Sequence, residues 1–249
     1  MSVQSYGGVT TTGDITYHHS IKQGSKEWHD LRRGILTAST MGCVITPSKL
    51  AMANNEETRT VIYNLASERV SNVPADMFMS YAMERGHLEE AEARIVYRRE
   101  YQEISECGFI TNERLGFKVG FSPDGLVGDE GFIEVKSRAS KFQMKTIIEH
   151  IAPPDPLSAI PKEYMLQVQT GLWVTGREWC DFISYSNGMN MAVVRVEPNP
   201  TYQDAISEAA NVTEQKIQDV VERYKAAISD GKNRITPVKW IDHHEDITA

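Results

Sequence analysis

Three scarcities bound what this chain can be. It has only three cysteines in 249 residues, Cys43, Cys107 and Cys180. They lie far apart, form no CxxC pair and match no zinc or iron–sulfur spacing. Their odd number also argues against a disulfide framework and for a reducing compartment. No apolar run approaches the ~18 residues that a membrane span needs, and the first residues lack the basic-then-apolar pattern of a secretory leader. Positive charge is not in excess either: 26 Lys and Arg stand against 34 Asp and Glu, a formal net charge of −8. That excludes a protein that coats nucleic acid through bulk basicity, but not an enzyme that meets DNA through a local basic lining.

What is present suits a globular enzyme. Hydrophobic residues make up 41% and charged residues 24% of the chain, enough for a sizeable core. We read residues 1–20, rich in Ser, Thr, Gly and Tyr, as a flexible lead-in ending in a short strand. Residues 21–229 then form a single domain and 230–249 a tail. Helix signals and strand signals alternate through the middle, which predicts an α/β fold with a mixed sheet flanked by helices.

The chain is organised around Ser122-Pro123-Asp124-Gly125-Leu126 and Gly131-Phe132-Ile133-Glu134-Val135-Lys136. Gly128-Asp129-Glu130-Gly131 is turn chemistry, so the two segments can pair as a hairpin and bring Asp124 near Glu134. Side chains alternate along a strand, so Glu134 and Lys136 share one face and Val135 takes the other. Two carboxylates and an ammonium on one face suit a hard divalent cation and a positioned water. The competing reading is a type I turn followed by a same-face ion pair.

Helices are expected on either side of this hairpin. Ser25 caps a short helix carrying Trp28, Leu31 and Arg32, which Gly34 ends. A second begins near Thr37 or Ser39. An Arg and hydroxyls close to a helix start can receive a phosphate. A third helix covers about 57–71. A long one follows from about Tyr81 to Tyr101, with Leu88, Ala91 and Ile95 as its apolar stripe. After a helix over 140–151, Pro161 opens another in which Gln167 and Gln169 interrupt an apolar segment; a buried Gln needs partners. Asn187-Gly188 joins two more strands, and a last helix spans about 201–229.

Taken in order, these blocks resemble the lambda-exonuclease, or YqaJ-type viral recombinase, family of the PD-(D/E)xK nuclease superfamily. The blocks are Gln23-Gly24, Trp28-His29, Leu31-Arg32, Gly34 and Thr37-Ala38-Ser39; then Gly86, Glu89 and Ala93-Arg94; then Ser122 to Leu126, Glu134 to Lys136, and Tyr164-Met165 with Gln167-Val168-Gln169 and Trp173-Val174-Thr175. The likeness runs over roughly residues 21 to 225, and five blocks in order are far more specific than any one motif.

The resemblance implies a restriction-endonuclease-like core and a 5′→3′ exonuclease that degrades one strand of linear duplex DNA, leaving 3′ overhangs for phage-type recombination. Two Mg²⁺ ions are implied, with Mn²⁺ as a substitute. Asp124, Glu134, the Val135 carbonyl and Glu89 would hold them. Lys136 would act on the attacking water, as a base or by orienting it, and Gln167 would help hold the nucleophile or Lys136. Arg32, Ser39 and Ser122 would receive the terminal 5′-phosphate together with a basic residue that is either Arg138 or Lys141. Met83 is a strand-separation wedge or a core residue. The implied partners are DNA ends, a single-strand annealing protein and two further copies in a homotrimeric ring. The implied setting is the cytoplasm of a bacterial or phage-infected cell, with no membrane. The alternatives are a structure- or sequence-specific endonuclease of the same superfamily and a catalytically silent DNA-binding scaffold.

Overall fold

The computed structural model describes residues 3–73, 81–151, 156–231 and 234–238. The chain opens with three short strands, β1 (Val3–Tyr6), β2 (Val9–Thr12) and β3 (Ile15–His18), folded as an antiparallel meander. The expected loose lead-in with one strand is therefore three strands of a sheet. The residues of β2 and β3 are half exposed, and β-branched Thr suits such a surface without an apolar alternation to announce it.

Helix α1 (Lys26–Arg32) begins where the Ser25 hydroxyl accepts the Trp28 N–H. The two-residue strand β4 (Leu36–Thr37) runs straight into α2 (Ala38–Val44), whose start is a reciprocal box between Thr37 and Thr40. A two-residue ladder, β5 (Ile45–Thr46) with β6 (Ala51–Met52), leads to α3 (Glu56–Ser71). Asn55 caps α3, and Asn72 ends it in the left-handed region at φ 60°. Then come α4 (Tyr81–Glu100), β7 (Phe109–Asn112), β8 (Val119–Phe121), β9 (Gly125–Val127) and β10 (Gly131–Ser137). The chain closes with α5 (Ser140–Ile151), a 3₁₀ turn at Pro156–Ala159, α6 (Lys162–Thr175), β11 (Trp179–Tyr185), β12 (Ala192–Val196) and α7 (Pro200–Ser229).

The strands form two main sheets. One has the order β1-β2-β3-β7-β8-β4 and the other β12-β11-β10-β9. In the second, β10 pairs parallel with β11 and antiparallel with β9, and Glu134 lies opposite Phe182. Parallel and antiparallel pairs thus coexist in an α/β arrangement. Helix α6 packs against β7 and β8 of one sheet and β11 of the other, and also against α2 and α7. Ten of its residues are buried. Gly171 permits this approach: a Cβ there would lie 2.9 Å from the rings of Phe121 and Phe132. Helix α4 covers the opposite face of β10 and β11.

Helix α4 presents a different face from the one its apolar residues suggest. Leu88 is 71% exposed and Ile95 54%, and Ala91 is exposed too, whereas Ala93 and Tyr97 are fully buried. Ala93 and Tyr97 pack with Ile133, Val135 and Ile183 of the sheet. One turn before Ala93, the same inward side brings Glu90.

Candidate active site

The β9–β10 hairpin assembles the centre. Asp124 enters β9 with its N–H donating to the Ile133 carbonyl at 3.3 Å, and its Oδ2 accepts the Val135 N–H at 2.6 Å. Glu134 and Lys136 project towards α6, while Val135 packs against α4. Lys136 Nζ sits 2.8 Å from Glu134 Oε1. On α6, Gln167 Nε2 donates to that same oxygen at 2.6 Å. Gln167 therefore holds Glu134 rather than Lys136. Its neighbour Gln169 is structural: its Nε2 donates to the Glu197 carbonyl, and its Oε1 accepts the Asn199 N–H and the Gln203 amide. Tyr164, one turn earlier on α6, lays its ring 5.3 Å from Lys136 Nζ.

The electrostatics of this centre are uneven. Burial pushes the Asp124 carboxyl well above the ordinary carboxylate range. The charges of Glu134 and Glu90 push it further, against the pull of Lys136 and the Val135 N–H. Burial lowers the Lys136 ammonium, but Glu134 and Asp124 outweigh it and hold the amine up, so Lys136 is a cation here. Glu134 Oε2 is buried and finds no hydrogen-bond partner among the described residues. A buried lone pair with no donor, beside a second carboxylate that like charge disfavours, is the donor set a hard cation satisfies. Among the described residues no group of three or more His, Cys, Asp or Glu that could hold a metal ion is drawn together.

Helix α4 supplies acids at its near end. Glu89 Oε2 accepts the Ser137 hydroxyl at 2.6 Å. Glu90 pairs with Arg94 at 3.3 Å and contributes its charge to Asp124, and Arg94 donates to the Asp124 carbonyl at 3.3 Å. Glu90 is the acid that sequence reasoning missed. The signal was there in its spacing, four after Gly86 and three and seven before the buried Ala93 and Tyr97. The Met83 side chain lies outside the described residues.

A cationic pocket adjoins the hairpin. Arg32 Nη1 donates to the Ser122 hydroxyl at 3.2 Å, and Trp28 Nε1 donates to it at 2.9 Å. The Arg32 guanidinium lies 4.1 Å from the Trp28 ring and 5.6 Å from that of Phe109. Burial lowers its pKa to about 10, Glu68 opposing. Gln23 Nε2 ties the segment down by donating to the Pro123 carbonyl at 2.8 Å. The structure thus brings Arg32 and Ser122 together and adds Trp28. Ser39 is exposed on the first turn of α2, and its hydroxyl is 3.1 Å from that of Thr37.

Arg138 follows β10 on the other side of Lys136. Its guanidinium is 5.2 Å from the Tyr164 ring and 5.3 Å from that of Phe142, and its buried Nε has no partner among the described residues. Lys141 is exposed, over the Phe142 ring at 4.9 Å.

Comparison with known proteins bears on the family and the fold. A model of the YqaJ-like viral recombinase domain matches residues 27–178, more than half of the chain. An alkaline exonuclease (LHK-Exo) from Laribacter hongkongensis is similar at 28% identity, with a TM-score of 0.69 over 82% of this chain and 98% of that one. The same enzyme in complex with dAMP matches equally well. A phage-related exonuclease from Haemophilus somnus 129PT shares the fold at 11% identity, with a TM-score of 0.55 over 79% of this chain and 99% of that one. No protein with a curated description matches significantly.

Proposed function

From the premise that this chain belongs to the YqaJ-like viral recombinase family, we propose that it is a divalent-metal-dependent exonuclease of double-stranded DNA. In this reading it works 5′→3′ from a free end, uses Mg²⁺, and leaves 3′ single strands for a strand-annealing protein to pair. It acts as a homotrimeric ring, with residues 21–229 as the exonuclease domain, in the cytoplasm.

One observation carries the reading: Asp124, Glu134 and Lys136 converge beside the Arg32–Ser122 pocket. Asp124 and Glu134, with the Val135 carbonyl, would hold the metal, and either Glu89 or Glu90 of α4 would complete its shell. The Glu134 oxygen left without a donor supports this. When bound, such a metal neutralises charge on the phosphate and on the departing 3′-oxygen. Lys136 would act on the attacking water, orienting it by charge or taking its proton. Gln167 fixes the Glu134 carboxylate for its task.

Arg32 gives the reading its direction. Among the described residues the Arg32 guanidinium, stacked on Trp28, donates to the Ser122 hydroxyl, and the Glu68 charge only partly offsets its burial. A terminal 5′-phosphate supplies the missing anion and fixes which strand end enters. An enzyme that cuts within a duplex has no use for such a pocket.

The test is digestion of linear duplex DNA in Mg²⁺, comparing 5′-phosphate with 5′-hydroxyl ends, beside a closed circle and the Lys136→Ala protein. Rapid loss of one strand from phosphorylated ends, an intact circle and an inactive variant are expected. A cut circle would replace this reading with an endonuclease. DNA binding with no cleavage of any substrate would make the chain a scaffold.

A further inference from the structure

The cleft does not end at Lys136. Beyond it, between the end of β10, α5 and the start of α6, lies a cavity of about 480 Å³. Its volume is within the range of small-ligand sites. Phe142 and Tyr164 supply aromatic walls and Arg138 a cation between them. The other charged residues of the lining leave Arg138 without a rival. Lys145 and Glu149 pair with each other at 3.5 Å, and Glu163 is exposed to solvent. Arg138 makes no ion pair among the described residues, and its Nε is both buried and unpartnered. An Arg held by two rings, with donors to spare, fits a phosphate, and the half-exposed Phe142 ring, which Lys141 also approaches at 4.9 Å, fits the edge of a base.

The cavity is also in line with the chemistry. Lys136 and Arg138 both lie against the Tyr164 ring, at 5.3 and 5.2 Å. Two residues along a strand advance about 6.6 Å, close to the step between successive phosphates of an extended nucleic-acid strand. Arg32 and Ser122 belong to α1 and the loop after β8, beside Asp124 in the chain, and neither lines the Arg138 cavity. A strand with its terminal phosphate at Arg32 and its scissile phosphate at Asp124 and Glu134 would therefore carry its next unit towards Arg138.

We propose that this cavity receives a nucleotide of the strand being degraded, its phosphate on Arg138 and its base along Phe142 and Tyr164. This rests on the exonuclease reading and assigns Arg138 a task separate from the end-phosphate pocket. The same chemistry is offered by a released 5′-mononucleotide, and the test separates the two sources.

The experiment follows steady-state degradation of 5′-phosphorylated duplexes that are intact or carry one abasic residue at the second nucleotide. The proteins are wild type, Arg138→Ala and Phe142→Ala. Phe142 is 47% exposed, so its loss leaves the core packed, and thermal melting checks the folding of both variants. For a nucleotide within the strand, Arg138→Ala raises KM about tenfold with kcat within about threefold of wild type. The abasic residue costs wild type a similar factor and costs Phe142→Ala little more than that variant has already lost. If instead a free deoxynucleoside 5′-monophosphate inhibits wild type and Arg138→Ala escapes that inhibition with an unchanged KM for duplex, the cavity takes the released nucleotide. Wild-type constants and wild-type inhibition in both variants would overturn the proposal. So would an Arg138→Ala protein that has lost the preference for phosphorylated over hydroxyl ends, because Arg138 would then belong with Arg32. Failure of the exonuclease reading itself looks different: wild type would not degrade the linear duplex at all.

Discussion

Two acids on neighbouring strands are buried to the same depth and treated in opposite ways. Asp181 of β11 is 3% exposed and Glu134 of β10 is 2% exposed. Both oxygens of Asp181 are occupied. Arg195 reaches each at 2.8 Å, and the Tyr97 hydroxyl donates to Oδ2 at 2.6 Å. Arg195 in turn lies 3.6 Å from the Trp179 ring. At Glu134, Lys136 and Gln167 crowd onto Oε1, Oε2 has no donor among the described residues, and Asp124 adds another negative charge. A buried carboxylate with both oxygens served ties α4 to the sheet. One left half-served beside a like charge costs stability and makes sense only through a ligand from outside the chain.

The comparison can be broken most directly at Glu134. Glu134→Gln is expected to lower the initial rate of linear-duplex degradation by about 10³-fold or more. Its urea midpoint should change little, because the repulsion of Asp124 goes together with the ion pair to Lys136. A midpoint that falls with the rate would make Glu134 a structural acid like Asp181. The converse substitution, Asp181→Asn, should cost about 2–3 kcal/mol of unfolding free energy, less than a fully buried pair because Arg195 is half exposed. Its rate per folded molecule, read well below the melting transition, should hold.

A finer cut is Tyr97→Phe, which removes one donor from Asp181 and leaves Arg195 in place. Urea unfolding should register about 1 kcal/mol, and a null result would mean that Arg195 alone satisfies the acid. The smallest effect concerns Glu214 of α7, which Arg69 of α3 grips through two bonds of 2.7 Å. Burial pushes this carboxyl up, but the hydrogen bonds from Arg69 and Gln218 and the Arg69 charge outweigh it, so it ends below 4.5. A depressed folded value gives stability that is complete above the unfolded value and lost as pH falls through the folded one. Urea midpoints at pH 6 and pH 3 should therefore converge for wild type and Glu214→Gln, from a gap of about 1 kcal/mol at pH 6.

Much of this was legible in the sequence where local chemistry and tertiary role agree. The Ser25 cap, the β9–β10 turn and the shared face of Glu134 and Lys136 follow from short-range rules that the fold then uses. The reading failed where the site itself reverses the usual polarity. On α4 the side facing the protein carries Glu90, Ala93, Arg94 and Tyr97, while Leu88 and Ile95 face out. Apolar periodicity therefore pointed to the wrong face of α4, and Glu90 drew no notice beside Glu89, which came from the family resemblance. Strands β1 to β3 escaped for a different reason: they lie at an edge of the sheet, and the half-exposed residues of β2 and β3 leave no alternation to detect. The placement of Arg138 apart from Arg32 depends on how two sheets meet, which no local pattern encodes.

Helix α6 touches strands of both sheets and delivers Gln167 to Glu134 from the most buried stretch of the chain. No part of that helix can loosen without parting the sheets on either side of it. The amides of α6 and β10 should then exchange with deuterium only through global unfolding, at one common free energy, while β1 and β2 exchange earlier. Heat should accordingly abolish catalysis and structure in a single transition.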